Sequence, residues 1–244
     1  MSGRRRVFTV LAVLLTSFLL VGPQAPAQTD TGGASCNLPE SDADALYILN
    51  ALAPNKYIWD DTDLTVAIQA APNVGEEYLQ AIHQAIAAWD EVLRQCFGGL
   101  ITLTDVTGSG PSAQSADIVV HYVPRAGGVV FAGLAVCGGN GCHNVLVSTE
   151  FAIGKGETIV YTPEYLFYIT LHELGHALGL GHATNLREST DLMGYGWIGD
   201  APDPLFSQCD LDALAYIWSW ALEGGSQPGP GPSELATTFD CSEA

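Results

Sequence analysis

The sequence predicts a mixed α+β domain. Three observations point there: short β-branched runs recur between Leu64 and Thr149, one amphipathic helix interrupts them, and two helices with start signals follow in the C-terminal part.

Leu64-Thr65-Val66-Ala67-Ile68 reads as the first strand, and Asn73 to Glu76 supplies a turn and a helix start. Leu79, Ile82, Ile86, Trp89 and Leu93, with Ala85 and Val92 beside them, recur at three- and four-residue spacing. That is the mark of a one-sided helix, and it should end near Cys96, where Phe97-Gly98-Gly99 breaks it. Leu100 to Val106 and Asp117 to Val123 read as two strands separated by a Gly/Ser/Pro loop. A short strand is expected around Phe131 to Val136, and Val145 to Thr149 should close the sheet. His83 and His121 fall inside this helix and these strands and read as ordinary, partly buried side chains. Thr162 is a good N-cap, with Pro163 at the first helical position and Glu164 in the first turn. The apolar pattern from Leu166 through Leu178 carries this helix to Gly179, which can adopt the left-handed conformation that stops it. A last helix is predicted from Ser207, with Asp210 completing a variant capping box, to about Leu222.

Arg4, Arg5 and Arg6 precede an apolar run from Val7 to Val21, and Ala25-Pro26-Ala27 follows. This pattern predicts a signal peptide over residues 1–27 and a mature chain starting at Gln28. An uncleaved anchor is the alternative, but the run is short against the roughly 20 residues needed to span a bilayer. Arg5-Arg6 also permits a twin-arginine signal. Residues 28–55 read as an N-terminal tail or short prosegment, 56–223 as one catalytic-type domain, and 224–244 as a linker and tail pinned by Cys241.

Outside the leader, Lys56, Arg94, Arg125, Lys155 and Arg187 are the only basic residues, against 27 acidic ones. A chain so acidic is unsuited to nucleic acid. Solubility accounts for the acidity most simply, with calcium sites or attraction of basic substrates as the functional alternative. All six cysteines (Cys36, Cys96, Cys137, Cys142, Cys209, Cys241) follow the leader, and an even count in an exported chain predicts disulfides. Gly138-Gly139-Asn140-Gly141 is a flexible turn that would let Cys137 and Cys142 pair. Half of a structural zinc site is the alternative for this pair, with only His143 available to join it.

The stretch from His172 to His182 reads His-Glu-Leu-Gly-His-Ala-Leu-Gly-Leu-Gly-His. Residues four apart share one helix face, so His172 and His176 can offer their imidazoles to one ion. Gly179 then permits a sharp turn that returns His182 as a third ligand. Three protein ligands leave a coordination position for water, as catalytic zinc sites do. Glu173 points to another azimuth, beside the ligands and not among them, where a carboxylate can take a proton from water as general base.

These residues resemble the metzincin zinc motif, and within that clan the chain looks most like the matrixins. Trp59 with the following strand, Ala81-Ile82 through Val92, and Ala116 to Val120 are similar to the opening strand, first helix and third strand of matrixin catalytic domains. Leu192-Met193-Gly194-Tyr195 looks like the Met-turn, and Leu205 to Asp210 resembles the start of the closing helix. The resemblance implies an open five-stranded mixed sheet with two long helices and a C-terminal helix. It implies a substrate peptide extended along an edge strand between Phe131 and Val136, and Tyr195 near the metal, as a weak ligand, an oxyanion donor or a pocket wall beside Trp197. The chain departs from the matrixin pattern in three respects. It lacks a His/Asp cluster for a second zinc, it has Tyr195 where matrixins have proline, and it carries no complete cysteine switch, Cys36-Asn37-Leu38-Pro39 being only faintly similar.

The expectation is therefore a secreted, extracellular, monomeric zinc endopeptidase with one catalytic Zn2+, Ca2+ as an option and a polypeptide substrate. No stable membrane association is expected after leader removal. A catalytically silent binding or adhesion domain of the same fold is the alternative, and it predicts damage to Glu173 or to a ligand.

Overall fold

The computed structural model describes residues 36, 38, 46–48, 59–72, 74–125, 132–138, 141–154, 157–183, 191–194, 205–224 and 238–241. The expected leader, Tyr195 and Trp197 lie outside them.

The described chain runs β1 (Leu46–Ile48), β2 (Asp63–Ala70), α1 (Glu76–Cys96), β3 (Thr102–Asp105), α2 (Pro111–Gln114), β4 (Ile118–Arg125), β5 (Gly133–Gly138), β6 (Gly141–Gly154), β7 (Glu157–Val160), α3 (Pro163–Leu178), α4 (Gln208–Ile217), α5 (Ser219–Leu222) and β8 (Thr238–Asp240). Five strands form an open sheet in the order β3-β2-β4-β6-β5, and β7 joins as a sixth by pairing with β6. The β2–β3, β2–β4 and β4–β6 pairs are parallel, whereas β5 and β7 run antiparallel to β6. The sheet is therefore mixed, and β5 is its terminal strand, as the resemblance implied.

Parallel neighbours require a crossover, and α1 supplies the one between β2 and β3. Of its predicted apolar stripe, Ile82, Ala85, Ile86, Trp89, Val92 and Leu93 are buried, Leu79 is half-buried, and Ala81 joins them. Glu76 and Glu77 in its first turn and Arg94 in its last complement the helix dipole. Along α3, eleven of the sixteen residues are buried, including every one from Ile169 to Leu178. A helix segment buried around its whole circumference, its polar Thr170, His172, Glu173 and His176 included, belongs inside the fold, and α3 packs there against α1 and the β5–β6 end of the sheet.

Both ends of α3 are closed as the residues predict. The Thr162 hydroxyl accepts the Tyr165 N–H at the start, and Gly179 sits at φ 115° at the end. The last four carbonyls of a helix have no intrahelical partner, yet here each has a donor. Gly175 O accepts from Leu180 N (2.9 Å) and His176 O from Gly179 N (3.0 Å). Two distant indoles serve the remaining pair: Trp59 Nε1 donates to Ala177 O (2.8 Å) and Trp218 Nε1 to Leu178 O (3.0 Å). A third, Trp89 Nε1, donates to Leu171 O within the helix (2.9 Å).

Several elements differ from the sequence expectation. The strand read as Val145–Thr149 spans Gly141–Gly154 and lies inside the sheet, between β4 and β5. β7 was not anticipated, being only four residues long. The last helix breaks at Trp218 into α4 and α5. Within the stretch read as a tail, β1 pairs antiparallel with β8 near the other end of the chain. Disulfides join Cys36 to Cys96, Cys137 to Cys142 and Cys209 to Cys241. The first and last tie the two terminal segments to α1 and α4, and the second closes the β5–β6 hairpin.

Candidate metal centre

His172 and His176 lie one turn apart on α3, and His182 follows after the Gly179 turn. Their ring nitrogens converge: His182 Nε2 lies 3.3 Å from His172 Nε2 and 3.1 Å from His176 Nε2. Among the described residues this is the one group of three or more His, Cys, Asp or Glu side chains placed to share an ion. His143 is elsewhere, with its Nδ1–H donating to Asp117 O (2.9 Å) and its ring edge-on to Trp59.

The outer nitrogens determine which tautomers are present. His172 Nδ1 faces Leu192 O at 2.8 Å, and His176 Nδ1 faces Leu180 O at 2.8 Å. A carbonyl can only accept, so both Nδ1 atoms carry the proton and both Nε2 atoms turn lone pairs inward. With these two lone pairs turned inward and His182 Nε2 within 3.3 Å of each, a cation placed among them can be held by all three rings. Tetrahedral bonds of about 2.0–2.1 Å to zinc would set such nitrogens roughly 3.3 Å apart, which matches the observed separations. The donor set therefore fits zinc.

Burial keeps the imidazoles neutral. Desolvation lowers the pKa of His172 well below its ordinary value, with nearby His176 adding to the effect. It lowers His176 to about 4, and His182 to about 3 with help from His176. Neutral imidazole is the form that binds metal.

Glu173 is 6 % exposed and stands beside the three nitrogens, outside the cluster. Burial raises its pKa to about 8, opposed by a hydrogen bond from the Ala135 backbone N–H on β5. The strand passes close enough that a Cβ at Gly133 would collide with the Glu173 carboxylate. Ser148 N donates to Ala132 O (2.9 Å), and the register pairs Gly133 with Val147 and Ala135 with Val145. Gly133 and Ala135 consequently turn their own backbone groups away from β6, outward past Glu173.

Beneath the histidines lies the turn 191–194. Met193 is fully buried, and a Cβ at Gly175 would sit 2.6 Å from its sulfur. Ala183 N donates to Met193 O (3.0 Å), tying the chain just past His182 to this turn. Sequence reasoning missed Asp191 and Ser207 here. Both are buried, and the Ser207 hydroxyl faces two carboxylate oxygens, Asp191 Oδ2 at 3.4 Å and Asp210 Oδ2 at 3.1 Å. The capping-box pattern signalled Ser207 as a helix start, but nothing in the sequence linked it to the turn.

No family model matches the chain. It is similar to interstitial collagenase from Bos taurus, at 27 % identity over 202 residues that cover 78 % of this chain and 39 % of the relative. Interstitial collagenase from Sus scrofa matches with the same identity and coverage. The chain thus spans less than half the length of these curated relatives. Among solved structures, archaemetzincin from Methanopyrus kandleri matches with a TM-score of 0.36 and 16 % identity, covering 66 % of this chain and 97 % of that one.

Proposed function

From its relationship to metzincin-like metalloproteases, we propose that this chain is a secreted zinc-dependent endopeptidase, with His172, His176 and His182 as ligands and Glu173 as general base. The convergence of three Nε2 atoms at zinc-compatible separations, two of them fixed as lone-pair donors, is the observation that carries the reading. Zinc held there would supply Lewis acidity, acidifying water and polarising a carbonyl oxygen.

The protein's own groups do the rest. An extended substrate segment pairs with the outward backbone groups of Gly133 and the outward carbonyl of Ala135, whose N–H is held by Glu173, by strand addition largely independent of its side chains. That brings a peptide carbonyl past Glu173. The Glu173 carboxylate takes the proton of the attacking water and delivers it to the leaving nitrogen, and burial suits it to both roles by moving its pKa toward neutrality. Export is supported by the three disulfides and the absence of free cysteine among the described residues. No helix among them is long and apolar enough to cross a membrane.

Glu173→Gln tests the assignment. Zinc stoichiometry should stay at one per chain while peptide turnover falls at least about 10²-fold. Turnover at the wild-type rate with zinc bound removes Glu173 from the mechanism. An unmodified protein that binds zinc and peptide but cleaves nothing points instead to a silent binding domain.

A further inference from the structure

We propose that Asp191 is a positioning residue for His172, acting through a single peptide group; the inference rests on the metal-site reading above. The Leu192 carbonyl accepts the His172 Nδ1–H at 2.8 Å. The Met193 N–H belongs to the same planar peptide unit, on its opposite side, and it donates to Asp191 Oδ1 at 3.4 Å. A carboxylate thus holds one end of a rigid plate whose other end holds the imidazole. Pulling on the N–H polarises the carbonyl and makes it a better acceptor. A better acceptor at Nδ1 strengthens Nε2 as a ligand and fixes the ring's orientation.

The carboxylate is itself held. Asp191 is 3 % exposed, and its backbone carbonyl accepts Gly194 N–H (2.9 Å), which closes the turn. Its Oδ2 lies 3.4 Å from the hydroxyl of Ser207, the N-cap of α4, whose one proton it shares with Asp210 Oδ2 at 3.1 Å. Ser207 N–H in turn donates to Asp210 Oδ2 at 2.8 Å, and the Ser207 hydroxyl accepts Asp210 N–H at 3.1 Å. The orientation of one ligand is thereby coupled to the start of a helix more than thirty residues further along the chain. Metal-binding histidines commonly donate their second nitrogen to a carboxylate or a carbonyl; here the two are in series.

The test is Asp191→Asn in the full chain, which keeps the shape and removes the charge. Zinc affinity is measured by chelator competition, and the His172 Nδ1–H resonance by proton NMR of the zinc-loaded protein. Zinc should bind roughly 10–100-fold more weakly, and the resonance should move upfield as its hydrogen bond loosens. Leu103→Ala, a buried position on β3, is the control for lost stability alone and should change neither readout. If Asp191→Asn does not accumulate as folded protein, Ser207→Ala leaves the carboxylate in place without its second anchor and should shift both readouts the same way. Zinc affinity within about twofold of wild type with an unmoved resonance overturns the proposal, as does an equal loss in Leu103→Ala. His182→Ala separates the underlying reading: zinc binding undiminished in that variant means that the triad is not the site, whatever Asp191 does.

Discussion

Trp218 and Trp220 form a matched pair in which one indole N–H has a partner and the other has none among the described residues. Their rings stack at 6.2 Å, Trp218 Nε1 donates to Leu178 O, and Trp220 Nε1 is buried with no partner among the described residues. Trp218→Phe leaves a last-turn carbonyl of α3 buried and unsatisfied, at a cost of about 1–3 kcal/mol. Trp218 is 1 % exposed, so the smaller ring forfeits packing as well. For a domain of this size each kcal/mol lowers the melting temperature by about 2–4 °C, so a fall of about 4–8 °C is expected from the carbonyl alone at the middle of that range. Trp220→Phe removes a donor that satisfies no acceptor among the described residues, and its melting temperature should fall much less. Calorimetry of the two variants, metal-free and zinc-loaded, provides the comparison. Equal falls would refute the assignment of hydrogen-bond energy to the helix terminus.

The pH dependence of the metal-free protein follows from four buried groups. The histidines have folded pKa values below their unfolded values, so their contribution is present above about pH 6.5 and is lost as pH falls and the unfolded chain takes up protons. Glu173 has its pKa raised to about 8, so its contribution is complete below the unfolded value and is lost as pH rises toward 8. Stability should therefore peak near neutrality, and Glu173→Gln should flatten the alkaline side and steepen the acid side above about pH 4.5; a melting-temperature series over pH 4–9 that falls monotonically would contradict this. Tyr195→Phe separates an oxyanion donor from a pocket wall. Loss of the donor lowers kcat by about 10²–10³-fold at constant zinc affinity, whereas an unchanged kcat with altered substrate preference assigns Tyr195 to the wall.

Much of this architecture is legible in the sequence because it is local. The ligand spacing on α3, the Gly179 stop, the Thr162 cap and the stripe along α1 all act within a few residues, and each appears where the pattern predicts. The Cys137–Cys142 link is local too, five residues apart across a hairpin. What escapes is set by distant partners. Trp59 serves a carbonyl 118 residues away, and β1 finds β8 across almost the whole chain. Asp191 lies in a polar stretch where an aspartate carries no pattern, and only the folded turn brings it to the Met193 N–H. β7 is four residues, too short for its alternation to stand out even after Gly154-Lys155-Gly156, and it is held by its pairing to the end of β6.

The terminal disulfides alter what limited proteolysis can do to this molecule. A single cut anywhere between residues 49 and 58 separates the segment carrying Cys36 and β1 from the rest of the backbone, but Cys36 remains bonded to Cys96 and β1 remains paired with β8. The product is a two-chain protein with the intact mass plus one water, released as two pieces only after reduction. Any maturation cleavage there would act by freeing a new chain end, with the severed segment still joined to α1 through Cys36 and Cys96.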